Sequence, residues 1–253
     1  MPYRIVIAAV TLVGALSACS QSPTGAAIHD PYEATNRKVH DFNVALDSAL
    51  LRPAGQVANA VPSEITGRVT NFASNLSLPG KIVNGVLQAN VEGVATNTLR
   101  LVLNTTIGFG GLFDPAGAIG LYEQDTDFGE TLAVWGVGEG AYVELPGFGP
   151  STERDAVGTM VDLFFNPLSG VLTPQELRYS NGAKVADRII MRGNYGSTVD
   201  SVLYESADSY AQTRLLYLQN RRYQLGTTLE TDYMDPYADD PYADPYFDPY
   251  EDQ

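Results

Sequence analysis

Cys19 is the single cysteine of the chain, and it closes the segment Leu16-Ser17-Ala18-Cys19 behind an apolar run that follows Arg4. A secretory leader needs a positive start, a short apolar stretch and small residues before the cut. Arg4, Ile5 to Leu16, and Ser17-Ala18 supply these. The motif predicts a signal peptide over residues 1–18 and acylation of Cys19 at its sulfur and its new amine. One acyl chain holds a protein to a membrane only marginally, whereas two or more hold it stably. With its only thiol used as an anchor, the body has no disulfide and must be held by packing and hydrogen bonds alone. Cys19→Ser should therefore leave an uncut precursor without acyl mass. Normal processing and membrane retention of that variant, read by intact-protein mass spectrometry, would refute the anchor.

Removal of the leader leaves 235 residues, enough for one good-sized domain. Residues 19–29 are small and turn-rich and read as a lipidated tether. A helical domain is expected over 30–226. The net charge is −15, which excludes nucleic acid as a partner. Part of that charge is local: residues 230–253 hold nine acidic side chains and no basic one, and Asp-Pro-Tyr recurs there at 235, 240, 244 and 248. Frequent proline and like charge predict a disordered tail over 227–253. After the leader, no uncharged apolar run approaches the roughly 20 residues of a spanning helix.

Helix signals punctuate the body. Asp30-Pro31-Tyr32-Glu33 reads as a capping box opening a helix whose apolar stripe contains Val39, Phe42 and Leu46, with Arg52-Pro53 as its stop. Ser63 opens a second pattern, ended by Leu78-Pro79. A third runs from Lys81 to Leu103, its polar side formed by the uncharged Asn84, Gln88, Asn90, Thr96, Asn97 and Thr98. The 13 residues between Arg100 and Asp114 carry no charge and predict a buried or interfacial turn. Six glycines between 129 and 149, including Gly136, Gly138 and Gly140, alternate with aromatics and predict a loop or bent hairpin. Ser151 is expected to cap a helix, Thr173-Pro174-Gln175-Glu176 is a further capping box, and a last helix is expected from Ser197 to Gln224.

The residues offer no catalytic set. A Gly-x-Ser-x-Gly elbow and a Gly-rich phosphate loop are both missing, and the two histidines, His29 and His40, have no metal-ligating company at helical spacing. No cofactor or metal is implied, and an enzyme is not expected.

Asp30-Pro31-Tyr32-Glu33, Asn36-Arg37, Phe42-Asn43, Arg52-Pro53 and Val61-Pro62 open an ordered series of matches. It continues through Asn71-Phe72, Asn75-Leu76, Pro79, Val83-Asn84, Leu87-Gln88, Arg100 and Leu103-Asn104-Thr105. Gly110-Gly111, Phe128-Gly129, Gly136-Val137-Gly138, Tyr142-Val143, Leu145-Pro146 and Arg154-Asp155 complete it. Over residues 30–226 the chain resembles the MlaA/VacJ family of outer-membrane lipoproteins. The resemblance implies an all-α fold, a ring-like assembly of amphipathic helices around a central amphipathic passage, with a Gly-rich hairpin loop. It also implies a place in the inner half of the outer membrane, on the periplasmic side, and traffic in phospholipid. Stray outer-leaflet lipid would enter the passage and be handed to a periplasmic lipid carrier, with trimeric porins holding the lipoprotein. The Asp-Pro-Tyr tail has no counterpart in the family pattern.

A head group crossing hydrocarbon needs polar groups along its way. Asn84, Gln88 and Asn97 are candidates to line such a passage, although the same amides would equally serve to cap turns. Phe42 is expected to be buried and to help keep the passage closed. Gly136, Gly138 and Gly140 are candidates for a hinge, or else simply permit positive φ or close packing. The alternative function is a non-catalytic envelope scaffold that binds porins.

Overall fold

A computed structural model describes residues 28–165 and 167–226. The leader, Cys19, most of the tether and the Asp-Pro-Tyr tail lie outside the described residues. From Glu33 to Asn59 the chain is helical without a break: α1 (Glu33–Leu46), a π-helical segment (Asp47–Leu51) and α2 (Arg52–Asn59). Pro53 therefore does not stop the helix. It falls in the first turn of α2, where a missing N–H is tolerated, directly behind the wider π turn. Asp30 does not cap α1 either. Its carboxylate accepts instead from Asn36, Tyr210 and Arg214, which ties the start of the fold to α10 (Ser209–Gln224).

α3 (Ser63–Leu87) begins where expected but continues through Pro79. Proline there has no N–H to offer the carbonyl four residues back, yet the fully buried Leu78 beside it keeps the helix in place. The break comes instead at residues 88–90. Ala89, at φ +56°, donates to the Val86 carbonyl and Asn90 to that of Gly85, a Schellman closure. Asn90 then caps α4 (Val91–Thr106) by accepting from Gly93 N at 2.8 Å. The pattern read from Lys81 to Leu103 thus spans two helices.

α5 (Pro115–Ala118) and α6 (Phe128–Val134) follow. The Gly-rich stretch is not one hairpin: its start is α6, closed by Gly136 at φ +85°. The hairpin itself is β1 (Tyr142–Leu145) paired antiparallel with β2 (Gly149–Thr152), Tyr142 opposite Thr152. Ser151 lies in β2, and Thr152 is the cap of α7 (Glu153–Phe164), one residue later than expected. After a 3-10 turn, α8 (Pro174–Asn194) opens with the full Thr173/Glu176 capping box. The expected helix from Ser197 to Gln224 is divided into α9 (Gly196–Asp200), a π segment (Ser201–Glu205) and α10. Of the described residues, 215–226 belong to a unit of their own.

Among the described residues the fold is all-α apart from this one hairpin. α3 packs along α4, α8 packs on α2 and α3, and α6 packs on α7. At the α2–α8 crossing two glycines meet, and a Cβ on Gly55 would lie 2.9 Å from Gly193 N.

Among the described residues an apolar core that includes Leu78, Phe128, Leu132, Tyr142 and Ile190 is accompanied by a large buried polar set, while many large apolar side chains are exposed. Buried positions are held by Asn36, His40, Asp47, Asn75, Asn84, Asn97, Arg100 and Asn104, while Val91, Phe109 and Phe164 stand 80%, 75% and 79% exposed. A buried polar set beneath exposed large apolar side chains is the informative departure from ordinary globular packing. Phe42 follows it: it is 53% exposed, and the buried residues of α1 are Asn36 and His40. The expectation that Phe42 is buried rested on the rule that the apolar stripe of a helix faces inward; Val39 and Leu46 of that stripe are half-buried, and Phe42 lies on its exposed side. Phe42→Ala should accordingly cost no more than about 1 kcal/mol in thermal unfolding, rather than the roughly 3–5 kcal/mol of a buried phenylalanine. A loss at the larger value would restore the buried reading.

Candidate functional site

The buried amides read backbone. Asn97 Nδ2 donates to the Gln124 carbonyl at 2.8 Å while its Oδ1 accepts from Gln124 N at 3.1 Å. One amide thereby satisfies both backbone groups of a single residue. Asn36 brackets Val143 of β1, donating to the Tyr142 carbonyl and accepting from Glu144 N. One heptad on, Asn43 grips the hairpin turn through Leu145 O and Gly147 N. On α4, Arg100 reaches the Leu121 carbonyl and Asp114, and Asn104 holds Asp114 and Ala116 N. The chain from 107 to 131 is therefore stitched to α3 and α4 by polar side chains. Within it, the expected interfacial turn leaves Ile107, Phe109, Leu112 and Phe113 exposed.

A cavity of about 460 Å³ opens among α3, the 126–128 segment, α7 and α8. Leu76, Val83, Leu87, Phe128, Val161 and Phe165 make its wall apolar. Lys81, Asn84, Asp162 and Lys184 bring polarity into it. Asn84 donates to Asp162 Oδ1 at 3.2 Å and accepts from the Thr131 hydroxyl. Phe128 N donates to Asp162 Oδ2 at 3.0 Å.

The two lysines differ in their surroundings. Burial alone would lower the proton affinity of Lys81, but Glu123 and Asp125 outweigh it and hold its ammonium above the usual value. Lys184 has no carboxylate within ion-pair distance among the described residues. Burial first, then repulsion from Lys81, pulls it below its ordinary value, and Asp162 only partly offsets this. A half-buried cation left unpaired in an apolar cavity is a place for an anion, and a phosphate oxygen there would make a charge-assisted hydrogen bond.

The sequence-predicted passage residues divide. Asn84 lines this cavity. Gln88 and Asn97 are outside its wall: Gln88 donates to Thr126 and Thr131, and Asn97, 1% exposed, is taken up by Gln124. These two serve the turn-holding role. Gly136 closes α6, Gly140 sits at φ +72° with a Cβ position 2.6 Å from Glu153 Oε2, and Gly138 faces open space. Positive φ at Gly136 and close approach at Gly140 account for those two glycines. Reading the sequence misses Lys81 and Lys184, although a signal for Lys81 exists, since it is the single charge between Arg68 and Glu92. It also misses that Ser209 Oγ lies 3.0 Å from His40 Nε2, with Glu144 3.5 Å from Nδ1. Ser209 is not in the wall of any cavity described here, and the trio joins α1, β1 and α10.

Among the described residues no helix is long and apolar enough to cross a membrane. Buried polar side chains beside an apolar core, exposed large apolar side chains and an amphipathic cavity together characterise this helical body. The chain belongs to the MlaA lipoprotein family, whose sequence profile matches residues 28–224. It is 34% identical over 199 residues to the intermembrane phospholipid transport system lipoprotein MlaA of Escherichia coli, covering 77% of each chain. An uncharacterized protein of Rickettsia bellii is 38% identical over 197 residues, covering 77% of this chain and 76% of that one. A solved structure described as "Structural basis for maintenance of bacterial outer membrane lipid asymmetry" superposes with a TM-score of 0.65 at 35% identity. It covers 78% of this chain and 98% of the other.

Proposed function

We propose that this protein takes phospholipid out of the outer leaflet of the outer membrane and passes it to a periplasmic carrier, so maintaining lipid asymmetry. Cys19 anchors it from the periplasmic side, and trimeric porins hold it in place. The observation that carries this reading is the cavity in which Lys184 stands without a carboxylate partner among apolar walls, in a body that leaves many large apolar side chains exposed. Acyl chains fit the walls and the phosphate fits the ammonium, so the head group need not enter hydrocarbon bare. Relatives named for intermembrane phospholipid transport support the same direction. A glycine-based opening at Gly136 to Gly140 belongs to this proposal, with Gly138 as its unconstrained point.

The test is extraction of the full chain in mild detergent with identification of bound lipid, followed by transfer of labelled phospholipid from liposomes to an acceptor. Bound phospholipid and protein-dependent transfer are expected. Lipid-free protein that moves none would sink the transfer reading in favour of a porin-binding scaffold.

A further inference from the structure

One turn beyond Lys184 on the same stripe of α8, Arg188, Met191 and Tyr195 enter the wall of a second cavity, of about 470 Å³. It shares no wall residue with the first. Val44, Leu51, Phe148, Met191, Val199 and Leu203 make it apolar.

Most polar groups in its wall already have partners. Asp47 accepts from Arg192 Nε at 2.7 Å and from the Tyr204 hydroxyl at 2.8 Å. Glu144 accepts from Tyr142 and Asn43, and His40 contacts Ser209 and Glu144. Arg188 and Thr213 stand apart from these. Arg188 is exposed at the rim, 5.9 Å over the Phe148 ring, and has no carboxylate within ion-pair distance among the described residues. Thr213 has a buried hydroxyl with no hydrogen-bond partner, a state that costs free energy unless something fills it. An unpaired cation at the rim of an apolar cavity with an unmet hydroxyl in its wall matches a chain with an acidic end.

We propose that this cavity is a second lipid site, which takes the acyl chain of an anionic amphiphile and holds its acidic group at Arg188. Phospholipid, lysophospholipid and free fatty acid share this chemistry. The site does not depend on the transfer reading of the first cavity.

The test uses the full-length lipoprotein in nonionic detergent with one reporter, Phe148→Trp in a Trp135→Phe background, and brominated lipids as quenchers. Dibromostearate should quench saturably and bind about tenfold or more tighter than the neutral dibromostearoyl monoglyceride, a tenfold step being about 1.4 kcal/mol. Arg188→Glu should erase that preference while Lys184→Glu leaves it intact. Leu203→Phe, which fills the cavity from inside, should abolish quenching without lowering the melting temperature. Dibrominated phosphatidylglycerol and its lyso form, titrated in parallel, identify the natural source by which acidic probe binds tightest. Equal affinity for the neutral probe, an unchanged preference in folded Arg188→Glu, persistent quenching in Leu203→Phe, or loss of the site in Lys184→Glu would each overturn the proposal.

Discussion

Lys184→Glu should reduce phospholipid transfer about ten- to a hundredfold in the liposome assay, with the folded protein intact. The variant removes the one cavity cation that lacks a carboxylate partner and places a second negative charge beside Asp162. Loss of a hydrogen bond to a charged group is worth about 1.5–3 kcal/mol, and the repulsion adds to it. Transfer within twofold of the parent would show that the head group does not visit this cavity. The same lysine predicts a pH profile. Because its ammonium titrates below the ordinary lysine value of 10.5, transfer should decline as pH rises toward, but before, that value. Lys184→Arg should flatten the decline, since guanidinium stays charged. The stability term has the opposite sign. Between the lowered folded value and the unfolded one, the unfolded chain holds the extra proton, so the fold gains stability as pH rises through that window.

The largest stability loss is expected at Asp47. Its carboxylate accepts from Arg192 Nε at 2.7 Å, from another Arg192 guanidinium nitrogen at 2.8 Å and from Tyr204, all at the head of the π segment. Arg192 and Asp47 side chains are 9% and 8% exposed. Removing one partner of a buried pair costs about 3–5 kcal/mol because the other charge is left uncompensated. Asp200, 2.6 Å from Arg192, stays in place and puts Asp47→Ala near the lower end. Chemical unfolding in one fixed detergent measures it, and a change below about 1 kcal/mol would mean that Asp200 alone satisfies the guanidinium.

Helix starts were legible where the chemistry is local: Thr173 and Glu176 carry their capping groups within three residues. Ser63 behind Pro62 opens α3 without a side-chain cap, and Asp30 is drawn from α1 to partners far along the chain. Helix ends were not legible, because Pro53 and Pro79 stop a helix only when nothing else holds it, and a π turn and Leu78 hold it here. The polar row on 84–97 was visible, but its partners, Thr131, Asp162 and Gln124, lie far along the chain, so lining and stitching look alike in sequence. Phe42 was misplaced for another reason. Reading the apolar stripe as the inside presumes water on the outside. Cys19 itself, pointing to a membrane anchor, was the cue to suspend that assumption.

The exposed apolar side chains tie the stability of the native state to its solvent. For most domains, transfer of apolar side chains out of water drives folding. Here Val91, Phe109, Phe164 and Phe165 stay exposed in the folded chain, so their part of that transfer is not made by folding alone. During any passage through an aqueous compartment, the folded body would present the kind of surface that causes self-association. Such a body needs a covering partner in transit, and its measured stability will move with the amphiphile that surrounds it.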